Sequence, residues 1–164
     1  MRQLAEHLKL KPDKVEYWGM LGLLHDVDWG ITKNEVSSHL TKMPEILEEA
    51  GFDKEFIEII LSHGYGFSEL PHLADKKRKE KIEFALAASE TITGLIHAYA
   101  LMRGKRISDM EASGLKKKFK DKTFAAKVDR SVIKEAENLG ISLDEFFKIA
   151  IEGIKKIKDE VGLG

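Results

Sequence analysis

Residues 12–30 read PDKVEYWGMLGLLHDVDWG. A proline and an aspartate open this segment, as is typical of a helix start. One stripe of residues then follows at helical spacing: Val15, Trp18, Leu21 or Gly22, and His25. Asp26 comes next, where we expect the helix to end. Neighbouring residues within a helix point about 100° apart, but at a helix end both side chains can reach one ion.

The remaining sequence has the same helical character. Hydrophobic residues make up 43% of the chain, charged residues make up 34%, and only 3 residues are proline. We predict an all-α fold, a compact bundle of seven or eight helices that forms one domain over residues 1–164. The other predicted helices are 2–8, 35–50, 54–63 with Asp53 as its N-cap, 75–102, a short one from Ser108, one up to Gly140 that Asp129 caps, and a last one that begins with the capping box of Ser142 and Glu145.

Composition and charge exclude several classes of protein. The chain has 27 basic and 28 acidic residues, a net charge of −1, and this balance gives no general attraction to nucleic acid or to an anionic membrane. The apolar run 20–24 is far too short to span a bilayer, and no secretory signal is visible. With no cysteine, disulfides and zinc–thiolate sites are excluded. The expected location is the cytoplasm.

Four predicted helices each carry one polar residue on an apolar face. These residues are His25, His39, His63 and Glu90. A single histidine in such a position is more often a satisfied core residue than a ligand, whereas an unpaired buried carboxylate is costly. Four together are harder to explain by chance, and imidazole and carboxylate are the ligands that metals accept when thiolates are absent. The sequence therefore indicates a site for a divalent metal ion.

The segment Gly22–Trp29 also resembles the HD motif of the HD superfamily of metal-dependent phosphohydrolases. The resemblance is stronger to an uncharacterised branch of predicted HD hydrolases, in which a similar LLHD-x-D segment precedes a histidine in each of the next two helices. Further similar segments follow, at 93–96 and at 117–130, so the resemblance covers nearly the whole chain.

This chain departs from the family pattern at both of its outer positions. The family's first histidine lies well upstream of the HD pair, and His7, the only upstream candidate, is too close to it. Either the start is truncated or misplaced, or the protein lacks that ligand. The last position aligns with Glu90 or, in a different register, with Ser89; Glu90 is preferred because serine is a poor metal ligand.

The resemblance implies a ligand set and a reaction. His25, Asp26 and Glu90 would bind the principal metal, with Mn, Fe, Zn, Ni and Mg as candidates, while His39 and His63 would complete a second site or contact substrate phosphate. Asp26 would also position the attacking water and is the expected catalytic residue. Asp28 is a weaker candidate for orienting a ligand.

The implied function is hydrolysis of a nucleotide or another small phosphate ester. Lys118, Lys122 and Arg130 are candidates for binding the substrate phosphate. The alternative for this basic cluster is a solvated helix end. The alternative for the whole chain is a non-catalytic HD-fold module that binds a ligand or a partner through a degenerate metal site. A homodimer is possible, since an open first helix would leave apolar surface to cover.

Overall fold

The computed structural model describes residues 1–164 and contains helices but no strand, which confirms the all-α prediction. Eight of its nine α-helices have at least five residues, and the other is a single turn. The α-helices are α1 Arg2–His7, α2 Pro12–Leu24, α3 Trp29–Thr32, α4 Met43–Glu49, α5 Lys54–Leu61, α6 Lys81–Met102, α7 Ala112–Lys120, α8 Arg130–Lys134 and α9 Leu143–Lys155. Three 3-10 helices lie between them, at Val36–Ser38, Ser62–Gly64 and Glu135–Leu139.

Helix α6 is the central element of the bundle. Its 22 residues contribute to two buried apolar clusters. The larger cluster includes Ile92 and Ile96 of α6 together with residues of α1, α7, α8 and α9. The smaller cluster includes Leu86 of α6 together with Leu21 of α2 and residues of α4 and α5. The smaller cluster underlies the segments that carry three of the predicted histidines.

Helix α6 is also the one helix long and apolar enough to cross a membrane by length and composition. Its most apolar window has a mean hydropathy of 1.2, and 56% of that window is buried inside the chain. A core helix of a folded bundle has the same properties, because it is apolar on most of its faces.

The predicted helix over residues 35–50 is wrong in its first half. A 3-10 helix covers Val36–Ser38, and an α-helix begins only at Met43. Pro44 explains the break: proline has no N–H and its ring clashes with the preceding turn, so it is tolerated only at a helix start. His39 therefore lies in the connection between two short helices and not on a continuous apolar stripe.

The other helix boundaries differ less from the predicted ones. Residues 29–32, which lie outside the predicted helices, form the single turn α3, and the charged run 75–80 is irregular, with α6 starting at Lys81. The predicted caps Asp53, Asp129 and Ser142 each accept a hydrogen bond from a backbone N–H of the first helical turn. The helix predicted from Ser108 starts at residue 112.

Candidate metal centre

Three short segments bring the predicted histidines together. His25 and Asp26 follow the last residue of α2, where the chain leaves the helix. His39 follows the first 3-10 helix, and His63 lies within the second, directly after α5. The expectation that residues 25 and 26 lie at a helix end is confirmed.

The three imidazoles surround the carboxylate of Asp26. The Nε2 atoms of His25, His39 and His63 lie 3.5, 3.3 and 3.6 Å from its oxygens. One ligand atom each from Asp26, His39 and His63 lies within 4.8 Å of the others, so these three side chains could hold a metal ion. His25 lies beside them, with its ring centroid 5.3 Å from that of His63.

The Nδ1 atom of each ring already has an acceptor. His25 Nδ1 donates to the carbonyl of Gly22 at 3.0 Å, and His63 Nδ1 donates to the carbonyl of Ile60 at 2.6 Å. His39 Nδ1 donates to Asp28 Oδ1 at 3.1 Å. In a neutral ring with its proton on Nδ1, Nε2 carries a lone pair.

Those Nε2 lone pairs face the carboxylate, which also carries only lone pairs. Such an arrangement is repulsive unless a proton or a cation lies between the nitrogen and the oxygen. Histidines that bind metals commonly have their second nitrogen bonded to a carbonyl or carboxylate in this way. The chemistry of the donor set therefore fits a divalent metal ion.

Asp28 binds both a histidine of this centre and the backbone next to it. Its side chain is fully buried, and besides His39 it accepts the backbone N–H groups of Lys42 and Met43, each at 3.2 Å. Those two N–H groups lie at the start of α4, where helix donors have no partner within the helix. One carboxylate thus fixes both the His39 ring and the N-terminus of the next helix.

The pKa values reflect how closely these groups interact. Burial raises the pKa of Asp26, but its close contacts with the imidazoles of His39 and His63 and the charge of neighbouring protonated imidazoles outweigh burial, so that the net pKa is strongly lowered. Burial also lowers the His39 pKa, yet its hydrogen bond and charge attraction to Asp26 leave the net pKa raised. For His25, burial dominates and its pKa is lowered. Without a metal, His39 is thus better suited than His25 to carry a proton.

We predict that this proton makes the stability of the metal-free chain depend on pH. Because the folded-state pKa of His39 is raised above about 6.5, its contribution is fully present below that pH and is lost as the pH rises through the raised pKa. His25 acts oppositely, since its lowered pKa costs stability as the pH falls below about 6.5.

Urea unfolding with a chelator present, from about pH 6 to about pH 9, would separate the two effects. Relative to a His39→Gln variant, the unmodified chain should lose unfolding free energy as the pH rises. A difference between the two proteins that stays constant over this range would contradict the prediction.

Tight packing behind the rings fixes the spacing between His39 and His63. The next residue after each histidine is buried, Leu40 in one case and Gly64 in the other. A Cβ atom at Gly64 would lie 2.7 Å from Leu40 Cδ1 and 2.9 Å from a methyl of both Leu70 and Leu73. The lack of a side chain at residue 64 therefore lets the two histidine segments meet.

Gly64→Ala should destabilise the fold by about 1–3 kcal/mol, because the added methyl group overpacks a filled core. Gly30→Ala is the matched control: that glycine is exposed in α3 with no atom within 4 Å of a Cβ. The control should change stability by less than about 1 kcal/mol. Equal unfolding free energies for the two variants would show that the contact at residue 64 is not tight.

Glu90, the fifth predicted ligand, does not join the converging atoms. Its charge lies close enough to His25 to favour the protonated ring and so act to raise the pKa of that histidine. Its Oε2 atom, however, accepts a hydrogen bond from the hydroxyl of Thr91 at 2.9 Å. The alternative, Ser89, makes no hydrogen bond to any histidine of the centre.

The predicted phosphate-binding residues are mostly engaged elsewhere. Arg130 donates to the backbone carbonyls of residues 121, 124, 125 and 128, so its guanidinium holds a loop together. The Lys118 ammonium lies 4.9 Å from the ring centroid of Phe124 and 5.9 Å from that of Tyr99. Lys122 is exposed and forms no ion pair. The Arg130 donors therefore face backbone carbonyls in this structure, and its assignment to substrate phosphate stays a prediction.

The remaining histidines lie outside the centre. His7 pairs with Glu145 at 2.7 Å and so links α1 to α9, and His72 and His97 are exposed. Sequence reasoning did not single out Trp29, a residue that is 40% exposed and whose ring centroid lies 5.2 Å from that of His39. Its position three residues after Asp26 was the only sequence feature that could have indicated a place beside the centre.

The centre combines three features that a reactive metal site needs. It has imidazole and carboxylate donors, its rings are oriented by second hydrogen bonds, and the Asp26 side chain is 43% exposed, so small molecules can approach it.

No protein-family model, no curated protein and no solved structure matches this chain.

Proposed function

We propose that this chain is a metal-dependent phosphohydrolase of the HD type, acting on a nucleotide or another small phosphate ester. The observation that carries the proposal is the convergence of three Nδ1-anchored imidazoles on one partly exposed carboxylate. The resemblance of Gly22–Trp29 and of the later histidines to the HD pattern supports the same reaction class.

In this proposal the protein holds and orients the reacting groups. Asp26, His39 and His63 hold a divalent metal, and His25 borders it. When bound, such a metal supplies Lewis acidity, which makes water a better nucleophile near neutral pH and offsets charge on phosphoryl oxygens. Asp26 has a second oxygen, and with its pKa lowered it stays ionised and can accept a hydrogen bond from the attacking water.

The centre is accessible to solvent at Asp26. The exposed part of the Asp26 side chain marks the open side, and the indole of Trp29, a residue that is 40% exposed, lies beside His39. A small phosphate ester could approach the carboxylate from this side. Lys118 and Lys122 take part in no hydrogen bond or ion pair, although the Lys118 ammonium lies near the Phe124 ring, so both can still donate to a phosphate.

A non-catalytic module is the second candidate function, and one observation favours it. Glu90 lies outside the set of converging atoms, so the centre offers a single carboxylate where the family resemblance implies two. A site with fewer anionic ligands can still bind a cation but stabilises it less strongly.

Metal binding and hydrolysis distinguish the two functions. Calorimetric titration of chelator-treated protein with Mn²⁺, Ni²⁺ or Zn²⁺ tests the site, and Trp29 offers a fluorescence signal beside it. Hydrolysis of p-nitrophenyl phosphate, bis(p-nitrophenyl) phosphate and a panel of nucleotides tests the reaction. Metal-dependent turnover that disappears in Asp26→Asn supports the enzyme. Binding without turnover of any ester favours the module, and no binding of any metal contradicts both.

A further inference from the structure

Arg78 is a buried cation in a segment that otherwise consists of exposed charges. It lies in the irregular stretch before α6, and its side chain is only 7% exposed. Burying a guanidinium is costly unless its donors find acceptors. Its position therefore requires a specific set of partners.

One side of the guanidinium binds the backbone that carries His63. Arg78 Nη1 donates to the carbonyls of Ser62 at 2.9 Å, His63 at 3.3 Å and Tyr65 at 2.8 Å. These carbonyls lie at and after the end of α5, where helix acceptors have no partner within the helix. The Ser62 carbonyl also accepts the N–H of Tyr65, but for the carbonyls of His63 and Tyr65 the arginine supplies donors that the local backbone lacks.

The other side of the guanidinium is anchored by a carboxylate. Nε and Nη2 of Arg78 donate to the two oxygens of Glu135, at 2.5 and 2.9 Å. Glu135 begins the third 3-10 helix, which packs against α6. This two-point pairing fixes the plane of the guanidinium and leaves little donor capacity for a substrate.

We propose that Arg78, anchored by Glu135, is a positioning residue that holds the Ser62–Gly64 turn so that His63 Nε2 faces Asp26. The proposal rests on the metal centre of the proposed function. The bond from His63 Nδ1 to Ile60 sets the orientation of the ring, but only the backbone position sets its distance from Asp26. Arg78 controls that backbone, while it does not itself contact the metal ligands' side chains.

The test compares two arginines with similar structural roles. Arg130 also binds several backbone carbonyls, but in the loop 121–128 and not beside a histidine of the centre. Both Arg78→Gln and Arg130→Gln remove such a guanidinium, so both should lower stability in urea unfolding. Only Arg78→Gln should weaken metal binding, by roughly 10- to 100-fold in the Kd for Ni²⁺ measured by calorimetry, as for other groups that orient ligands.

Each outcome decides the question. Suppose that the wild type binds Ni²⁺ and that Arg78→Gln has an unchanged Kd, or a Kd changed as much as in Arg130→Gln. This result overturns the positioning role and leaves the metal centre standing. A wild type that binds no metal overturns both.

A second variant covers the case in which Arg78→Gln does not fold. Glu135→Gln keeps the guanidinium but weakens its anchor, and we expect a smaller increase in the Ni²⁺ Kd, about 3- to 10-fold. The absorption spectrum of the Co²⁺ form should change in the same variant, because the geometry around His63 relaxes. An unchanged Kd and an unchanged spectrum in Glu135→Gln would overturn the proposal.

Discussion

Replacing Asp26 by asparagine should abolish tight metal binding while leaving the helices intact. Asp26 is the group that all three imidazoles face, at 3.3 to 3.6 Å, and it supplies the negative charge among the ligand atoms that converge there. Loss of a group that only orients a ligand typically costs 10- to 100-fold in metal affinity, so we expect roughly 100-fold or more for a ligand itself.

The fold should tolerate this change because of where Asp26 lies. Its side chain is 43% exposed and follows the end of α2, and its backbone carbonyl, which accepts the N–H of Trp29, is retained in asparagine. Calorimetry with Ni²⁺ and far-ultraviolet circular dichroism measure the two effects separately. Asp13→Asn is the matched control, since that aspartate is exposed in the first turn of α2. Metal affinity that survives in Asp26→Asn would refute the assignment of the centre.

The sequence predicted the fold well where helix signals were local. The caps at Asp53 and Ser142 and the apolar periodicity of α5 and α9 need only neighbours along the chain, and these elements lie where they were expected. The helix predicted over residues 35–50 was wrong because the apolar spacing continues across the break in the helix. A single residue, Pro44, determines where the α-helix begins. A periodic pattern by itself does not show where the backbone hydrogen bonds stop.

The candidate site was predictable in part for a similar reason. Histidines on apolar faces stand out in a sequence, and residues 25, 39 and 63 do lie together. Glu90 is an equally conspicuous polar residue on an apolar face, but the sequence pattern does not show which other helix packs against that face of α6. Arg78 gave no signal at all, because it sits in a charged run that is typical of an exposed surface, and its acceptors are backbone carbonyls of another segment.

Removing the Asp28 carboxylate should strongly destabilise the metal-free fold. Its carboxylate is completely buried and has three donors, the His39 ring and the backbone N–H groups of Lys42 and Met43. Asp28→Ala leaves all three without an acceptor in a space that water does not reach, and the N-terminus of α4 loses the negative charge that complements its dipole.

We expect Asp28→Ala to lower the unfolding free energy by about 3–5 kcal/mol, a loss typical of breaking a buried charge interaction. Asp13→Ala removes an exposed aspartate from the first turn of α2 and should cost less than about 1 kcal/mol. Urea unfolding in the presence of chelator keeps metal binding out of the comparison. Because His39 also loses its orienting bond, Ni²⁺ affinity of any folded fraction should fall about 10- to 100-fold. If Asp28→Ala were no less stable than the control, His39 and α4 would have to be held by other contacts, and the carboxylate would not organise the centre.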